Sequence, residues 1–168
     1  MATAHTYQAL IVGAGFTGIG AAIKLSQAGL SGDGDLVILE RNDRVGGTWR
    51  DTRYPGAACD IPSLLYSFSF AGNPRWSRAY SPAGEICAHI EAMADEFDVR
   101  RLIRFSTEVT GLSFDEDAGV WTVAAGRRRF RARTVVLASG PLPDSSFPDI
   151  RGLDTYRGRK IHSARWDG

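Results

Sequence analysis

The sequence predicts an α/β fold, with a parallel βαβ core that runs on into a small antiparallel meander. Three observations carry that expectation. A short run of mostly branched apolar residues, Tyr7 to Val12, ends at the glycine cluster Gly13-Ala14-Gly15-Phe16-Thr17-Gly18. A helical pattern follows, with Ile19, Ala22 and Ile23 on one face, and then a second apolar run, Leu36-Val37-Ile38-Leu39-Glu40. Further on, Val109 to Phe114, Val120 to Ala124 and Arg129 to Arg131 read as three short antiparallel strands.

Each element has its own warrant. A branched apolar run closed by glycine reads as a strand buried on both faces, as in a parallel sheet. The helix should run from Phe16 to Ala28, with Gly29 as its C-terminal cap. Ser31-Gly32-Asp33-Gly34-Asp35 is a turn cluster. Strand, helix and strand in this order make a βαβ unit, which is right-handed in nearly all cases. Arg41 to Pro82 has few periodic signals and many Gly, Pro, Tyr and Trp residues. A stretch that long without regular structure is usually functional. Glu85 to Phe97 should be helical, with Ile86, Ile90, Met93 and Phe97 at turn spacing. Val135-Val136-Leu137-Ala138 reads as another buried strand, ending at Ser139-Gly140, and three prolines between Pro141 and Pro148 mark an exit linker.

Composition narrows the classes. The chain has 168 residues, enough for one ordinary domain with a sizeable core. A hydrophobic content of 43% and a charged content of 23% are those of a soluble globular protein. A net charge of +1 gives no reason to expect nucleic acid or an anionic membrane as partner. Cys59 and Cys87 form no CxxC pair, so a reducing cytoplasm is the expected compartment and both thiols should be inert. No apolar run approaches the length of a membrane span, the N-terminus lacks the form of a signal peptide, and no metal site is expected.

Gly13, Gly15 and Gly18 fit G-x-G-x-x-G between a strand and a helix. The first glycine allows the tight turn, the second lets backbone approach a pyrophosphate, and the third lets helix and strand pack closely. The phosphates would sit at the helix N-terminus, where free N–H groups and the dipole favour an anion. Glu40 closes the next strand 22 residues after Gly18 and can accept hydrogen bonds from a ribose diol. A carboxylate there argues for FAD or NAD at this site and against a 2′-phosphate.

The run Gly46-Gly47-Thr48-Trp49 through Tyr54-Pro55-Gly56 to Asp60 is more specific. It matches G-G-x-W-x-x-x-x-[F/Y]-P-G-x-x-x-D, an early fingerprint of the Baeyer–Villiger monooxygenases. A second fingerprint of that family, F-x-G-x-x-x-H-x-x-x-W-[P/D], is matched by Tyr156, Gly158, His162, Trp166 and Asp167, with tyrosine for phenylalanine as the one departure. The chain therefore resembles the N-terminal third or so of these class B flavoprotein monooxygenases. The resemblance implies a Rossmann-like FAD-binding core forming the incomplete N-terminal portion of a two-dinucleotide-binding-domain flavoprotein. Residues 1–140 would be the N-terminal part of the FAD-binding domain. Residues 141–168 would be a linker carrying the second fingerprint toward an NADPH-binding domain beyond the chain.

Carried over by position, Gly13, Gly15, Thr17, Gly18 and Glu40 would hold the ADP half of FAD. Gly47 belongs to the glycine pair of the first fingerprint. Thr48, Trp49, Asp60 and Tyr66 would line the ribityl and isoalloxazine region, and Val109 would contact the adenine end. Asp60 would lie near the reacting face of the flavin and tune a catalytic arginine that comes later in the family. The implied reaction uses NADPH and O2 to insert one oxygen next to a ketone carbonyl through a C4a-peroxyflavin, giving an ester or lactone.

Other readings stand beside this one. A heteroatom oxygenase of the same class would take a sulfide or an amine, and a non-catalytic module would bind FAD without turnover. Trp49 could be simple packing, Asp60 a turn cap, and His162 structural. The arginine-rich run Gly126 to Arg133 reads as the solvated face of the meander. An incomplete sheet with an open edge leads to an expectation of pairing with the rest of the enzyme or with a second copy. This chain alone should be inactive.

Overall fold

A computed structural model describes residues 5–30, 32, 34–141 and 145–167. Ser31 and Asp33 of the turn cluster and Leu142 to Asp144 of the expected linker lie outside the described residues.

The branched run near the N-terminus forms β1 (Thr6–Val12), and the helical pattern forms α1 (Phe16–Gln27). Gly29 follows the cap residue Ala28, and its N–H donates to the Ser26 carbonyl. β2 (Leu36–Leu39) returns parallel to β1, with Leu10 opposite Val37. Glu40 still shares in the ladder, because its N–H donates to the Arg104 carbonyl at 3.1 Å.

Four further strands and two α-helices follow in chain order. After β2 come α2 (Thr48–Asp51), α3 (Ala83–Glu96) and β3 (Ile103–Arg104). The meander is β4 (Gly111–Asp115), β5 (Val120–Ala125) and β6 (Arg128–Leu137). One sheet of six strands results, in the order β3-β2-β1-β6-β5-β4. β1, β2, β3 and β6 are mutually parallel, β5 runs antiparallel to β6, and β4 runs antiparallel to β5.

The core lies on both faces of this sheet. On one face Ala9, Ile11 and Ile38 pack against Ile19, Ala22 and Ile23 of α1 and Ile86, Ile90 and Met93 of α3. On the other face Leu10, Val37 and Leu39 pack against Val123 and Ala132 of the meander. Alternation along the central strands sends successive side chains into the two clusters.

Several expectations need correction. The strands expected at Arg129–Arg131 and Val135–Ala138 are one strand, β6. Its first half pairs with β5 and its second half pairs with β1, as in Val12 opposite Leu137. Arg133 and Thr134 broke the apolar pattern because they are exposed. The second half is also less buried than expected. Val135 and Val136 are half-buried, each packed against one of the two core clusters, and Leu137 is 64% exposed. The strand expected from Val109 begins at Gly111. The helix expected from Glu85 begins at Ala83, right after Pro82 at its N-cap. The segment from Arg41 to Pro82 does contain regular structure, the single turn α2, and β3 was not expected at all. Arg131 departs from the solvated reading of the arginine run: it is half-buried and its Nε has no hydrogen-bond partner among the described residues.

Candidate functional site

The glycine cluster sits at the carboxyl end of β1, where the parallel strands deliver their loops. Gly13 turns the chain with φ +102°, and a Cβ there would lie 2.6 Å from the Ala138 carbonyl oxygen. Gly18 packs directly on the Gly13 carbonyl, leaving no room for any side chain. Gly47 has φ +55°, a left-handed conformation that glycine adopts without strain, and a Cβ on it would lie 2.9 Å from the Gly15 Cα. The first turn, the Gly46-Gly47 pair and the end of β6 therefore meet backbone to backbone. Gly46 N–H donates to the Ala14 carbonyl at 3.0 Å and fixes that approach.

This cradle fits a pyrophosphate. The N-cap of α1 is Gly15, with no side-chain cap and no acidic residue in the first turn. The orphan N–H groups of that turn and the exposed Thr17 are left to an anion from outside.

Glu40 is brought to the same place. It is 4% exposed, and its Oε2 accepts from Ala14 N–H at 2.7 Å. Its Oε1 accepts from Asn42 N–H and Asn42 Nδ2, both at 2.9 Å, and faces Arg50 Nη1 at 3.4 Å. Arg50 also forks onto Asp51 through Nε and Nη2, at 2.8 and 2.9 Å. Burial works against the charge of both partners, but their mutual hydrogen bonds and charge outweigh it. The Asp51 carboxyl is held below its usual range, with Arg165 and Arg41 adding to the effect, and the Arg50 guanidinium is held above its own. Arg165 belongs to a short 3-10 turn, Ser163–Arg165, inside the second fingerprint, so the two fingerprints meet at Asp51.

Aromatic residues line the next part of the site. Trp49 Nε1 donates to Tyr66 Oη at 2.9 Å, with the rings edge to face at 5.5 Å. Phe16 lies 5.0 Å from Tyr66 and stacks on Phe68 at 4.2 Å. Thr48 opens α2 and is exposed. Thr107 N–H donates to the Glu40 carbonyl, which brings Val109 to the same side of the sheet as Leu10, Val37 and Leu39. Asp60 is exposed, next to the buried Cys59, whose N–H donates to the Ser81 carbonyl. No contact among the described residues ties Asp60 to Glu40 or to the glycine cluster.

A neighbouring cleft of about 630 Å³ shares Trp49 and Arg50 with these groups and is lined also by Arg44, Arg53, Tyr54 and Cys87, but by none of the cluster glycines. The Cys87 thiol is pushed up by burial and by Glu91. Both cysteines are free. His162 accepts from Ala164 N–H through Nδ1 and meets Phe147 edge to face at 5.4 Å, so it caps its own turn. Sequence reasoning passed over Asn42 and Arg50. Arg50 lies inside the first fingerprint, but nothing in a sequence marks an arginine for burial. Among the described residues no helix is long and apolar enough to cross a membrane, and no group of three or more His, Cys, Asp or Glu could hold a metal ion.

Comparison with known proteins places these features. Residues 11–82 match the model of an NAD(P)-binding Rossmann-like domain. The chain is 49% identical over 157 residues to a Baeyer–Villiger monooxygenase of Streptomyces coelicolor, covering 94% of this chain and 30% of that protein. Among solved structures it superposes on cyclohexanone monooxygenase from Rhodococcus sp. Phi1 bound to NADP+. The TM-score is 0.84 at 41% identity, over 98% of this chain and 31% of that one. It also superposes on OTEMO in complex with FAD and NADP, with a TM-score of 0.85 at 33% identity, over 98% of this chain and 31% of that one. The chain thus spans about 30% of the length of the curated relatives it matches.

Proposed function

We propose, from the premise that this chain belongs to the Baeyer–Villiger-type flavoprotein monooxygenases and matches their N-terminal portion, that it supplies most of the FAD site of an NADPH-using oxygenase. The observation that carries the reading is the cradle at α1. Gly13, Gly18 and Gly47 each sit where a Cβ would strike backbone, and the helix N-terminus beside them has no cap of its own. When bound, FAD supplies the electron transfer and the activation of O2.

The residues of this chain bind and orient. Gly13, Gly15, Thr17 and Gly18 take the pyrophosphate on backbone N–H groups and the Thr17 hydroxyl. Glu40 takes the adenosine ribose, and Val109 borders the adenine. Gly47, Thr48, Trp49 and Tyr66 border the ribityl chain and ring system, where the Trp49–Tyr66 bond holds both side chains in one orientation. Asp60 is the one candidate catalytic residue here, an exposed carboxylate able to set the position and charge of a cationic partner. Residues 1–140 form the N-terminal part of the FAD domain. Residues 141–168 lead toward the part that binds NADPH.

The substrate class is a ketone, converted to an ester or lactone with one atom of O2. The partners are small molecules together with the remainder of the enzyme. Two free thiols, one of them buried, fit a reducing cytoplasm. The exposed edge strand β4, with Leu112 and Phe114 outward, is the surface most open to self-association.

The test is the full-length native protein, assayed for flavin absorbance, NADPH oxidation and product. Bound FAD, with ester formation from a cyclic or linear ketone, supports the reading. Absence of flavin, or sulfoxide and N-oxide products with no ester from any ketone, overturns it.

A further inference from the structure

Arg50 is 6% exposed and lies between two carboxylates. Its planar fork meets both oxygens of Asp51, while Nη1 donates to the Arg44 carbonyl at 2.8 Å and faces Glu40 Oε1 at 3.4 Å. Such a three-way arrangement of fixed donors is open to arginine and not to lysine. A buried ion pair rarely stabilises a fold more than apolar side chains of the same volume would. The guanidinium therefore calls for a role besides stability.

The two oxygens of Glu40 are unequally used. Oε1 faces three donors: Asn42 N–H, Asn42 Nδ2 and Arg50 Nη1. Oε2 accepts one, Ala14 N–H, from within the glycine cluster. A carboxylate oxygen has about two lone-pair sites, so three donors crowd Oε1 and hold the carboxylate by that oxygen, while Oε2 keeps one site. We infer that Arg50 is a positioning residue, which with Asn42 occupies Glu40 Oε1 and so presents the remaining lone pair of Oε2 to a hydroxyl of the adenosine ribose of FAD. The inference rests on the FAD reading above. Asp51 completes the device. By neutralising Arg50 it keeps the guanidinium from acting as a free cation beside the ribose, where it would favour a 2′-phosphate over a diol.

The experiment compares two ligands on the deflavinated full-length native protein: FAD, and its analogue whose adenosine ribose lacks both hydroxyls. Binding is read by quenching of flavin fluorescence, for the wild type and for R50M and R50K. R50M should weaken FAD at least about tenfold, the size of a lost hydrogen bond to a charged group, and weaken the dideoxy analogue less than about twofold. R50K keeps the charge without the fork and should fall between the wild type and R50M on FAD alone. It carries the comparison by itself if R50M does not fold. Equal losses on both ligands would mean a general structural role and overturn the inference, as would unchanged FAD binding. A wild-type protein that binds neither ligand overturns the FAD reading itself and this inference with it.

Discussion

Gly18 lies against the carbonyl oxygen of Gly13 with no room between them for a methyl group. The contact joins the first turn of α1 to the end of β1, and it sets how deeply an anion can sit at the helix N-terminus. Gly18→Ala should push helix and turn apart. We expect a loss of about 2–3 kcal/mol in unfolding free energy, of the size of other overpacked sites, together with loss of bound flavin. Urea unfolding and flavin content after purification measure the two effects. A flavin-replete Gly18→Ala protein of normal stability would contradict the cradle.

Glu40 accepts from four donor groups on three residues, Ala14, Asn42 and Arg50. Glu40→Ala would leave the Ala14 N–H and Asn42 without their acceptor and Arg50 with Asp51 alone, and a buried donor left unsatisfied costs about 1–3 kcal/mol. Glu40→Gln keeps the shape and one acceptor but turns its NH2 toward another donor, so it should cost less stability than Glu40→Ala and still lose FAD affinity. Calorimetric unfolding of both variants separates the two effects. Similar melting temperatures for the two would show that the Arg50 pairing is not the larger part.

Tyr66→Phe removes one hydrogen bond and nothing else. Trp49 Nε1 loses its partner at a half-buried position, and the expected cost is about 1 kcal/mol. The fluorescence of Trp49 should move to longer wavelength as the freed N–H turns to water. An unchanged spectrum would show that the Tyr66 hydroxyl does not hold the indole.

His89 makes stability depend on pH. It is buried on α3 between Trp76, at 5.1 Å, and Phe68, at 6.0 Å, and its Nε2 has no hydrogen-bond partner among the described residues. Burial lowers its pKa, against a smaller opposing pull from Glu96. The unfolded chain therefore takes up this proton more readily than the folded one. Stability should be unaffected by His89 above pH 7 and should fall by up to about 1.4 kcal/mol per pH unit as the pH drops below about 6.5. Carboxylates held low, such as Asp51, act only in more acidic solution. Unfolding midpoints at pH 5, 6, 7 and 8 for the wild type and His89→Phe test this, since the substitution should flatten the profile between pH 5 and 7.

Much of this was legible in the residues. Glycines at 13, 15 and 18 state a backbone requirement directly, because only backbone can come that close. The first strands and helix follow from periodicity in segments long enough to show it. β3 has two residues and α2 has four, too few for a pattern to repeat. In the sequence β6 reads as two pieces because Arg133 and Thr134, both exposed, interrupt its apolar pattern. Arg50 was passed over because its burial comes from where Glu40 and Asp51 end up in space, and a lone arginine in a sequence ordinarily reads as surface. Sequence similarity carried the flavin reading further than geometry could, since Asp60 and Val109 show no contact that singles them out.

The ten residues of β6 also act as a ruler. One end is hydrogen-bonded into the meander, and the other leads through Ala138 to the carbonyl that abuts Gly13. At about 3.3 Å per residue the strand sets a span of roughly 33 Å between them. A one-residue insertion within it would turn every later side chain to the opposite face and carry the Ala138 carbonyl away from the turn. The hairpin between Asp115 and Val120 lies off that line. Lineages descended from this sequence should therefore vary freely in the length of the hairpin while holding the length of β6 constant.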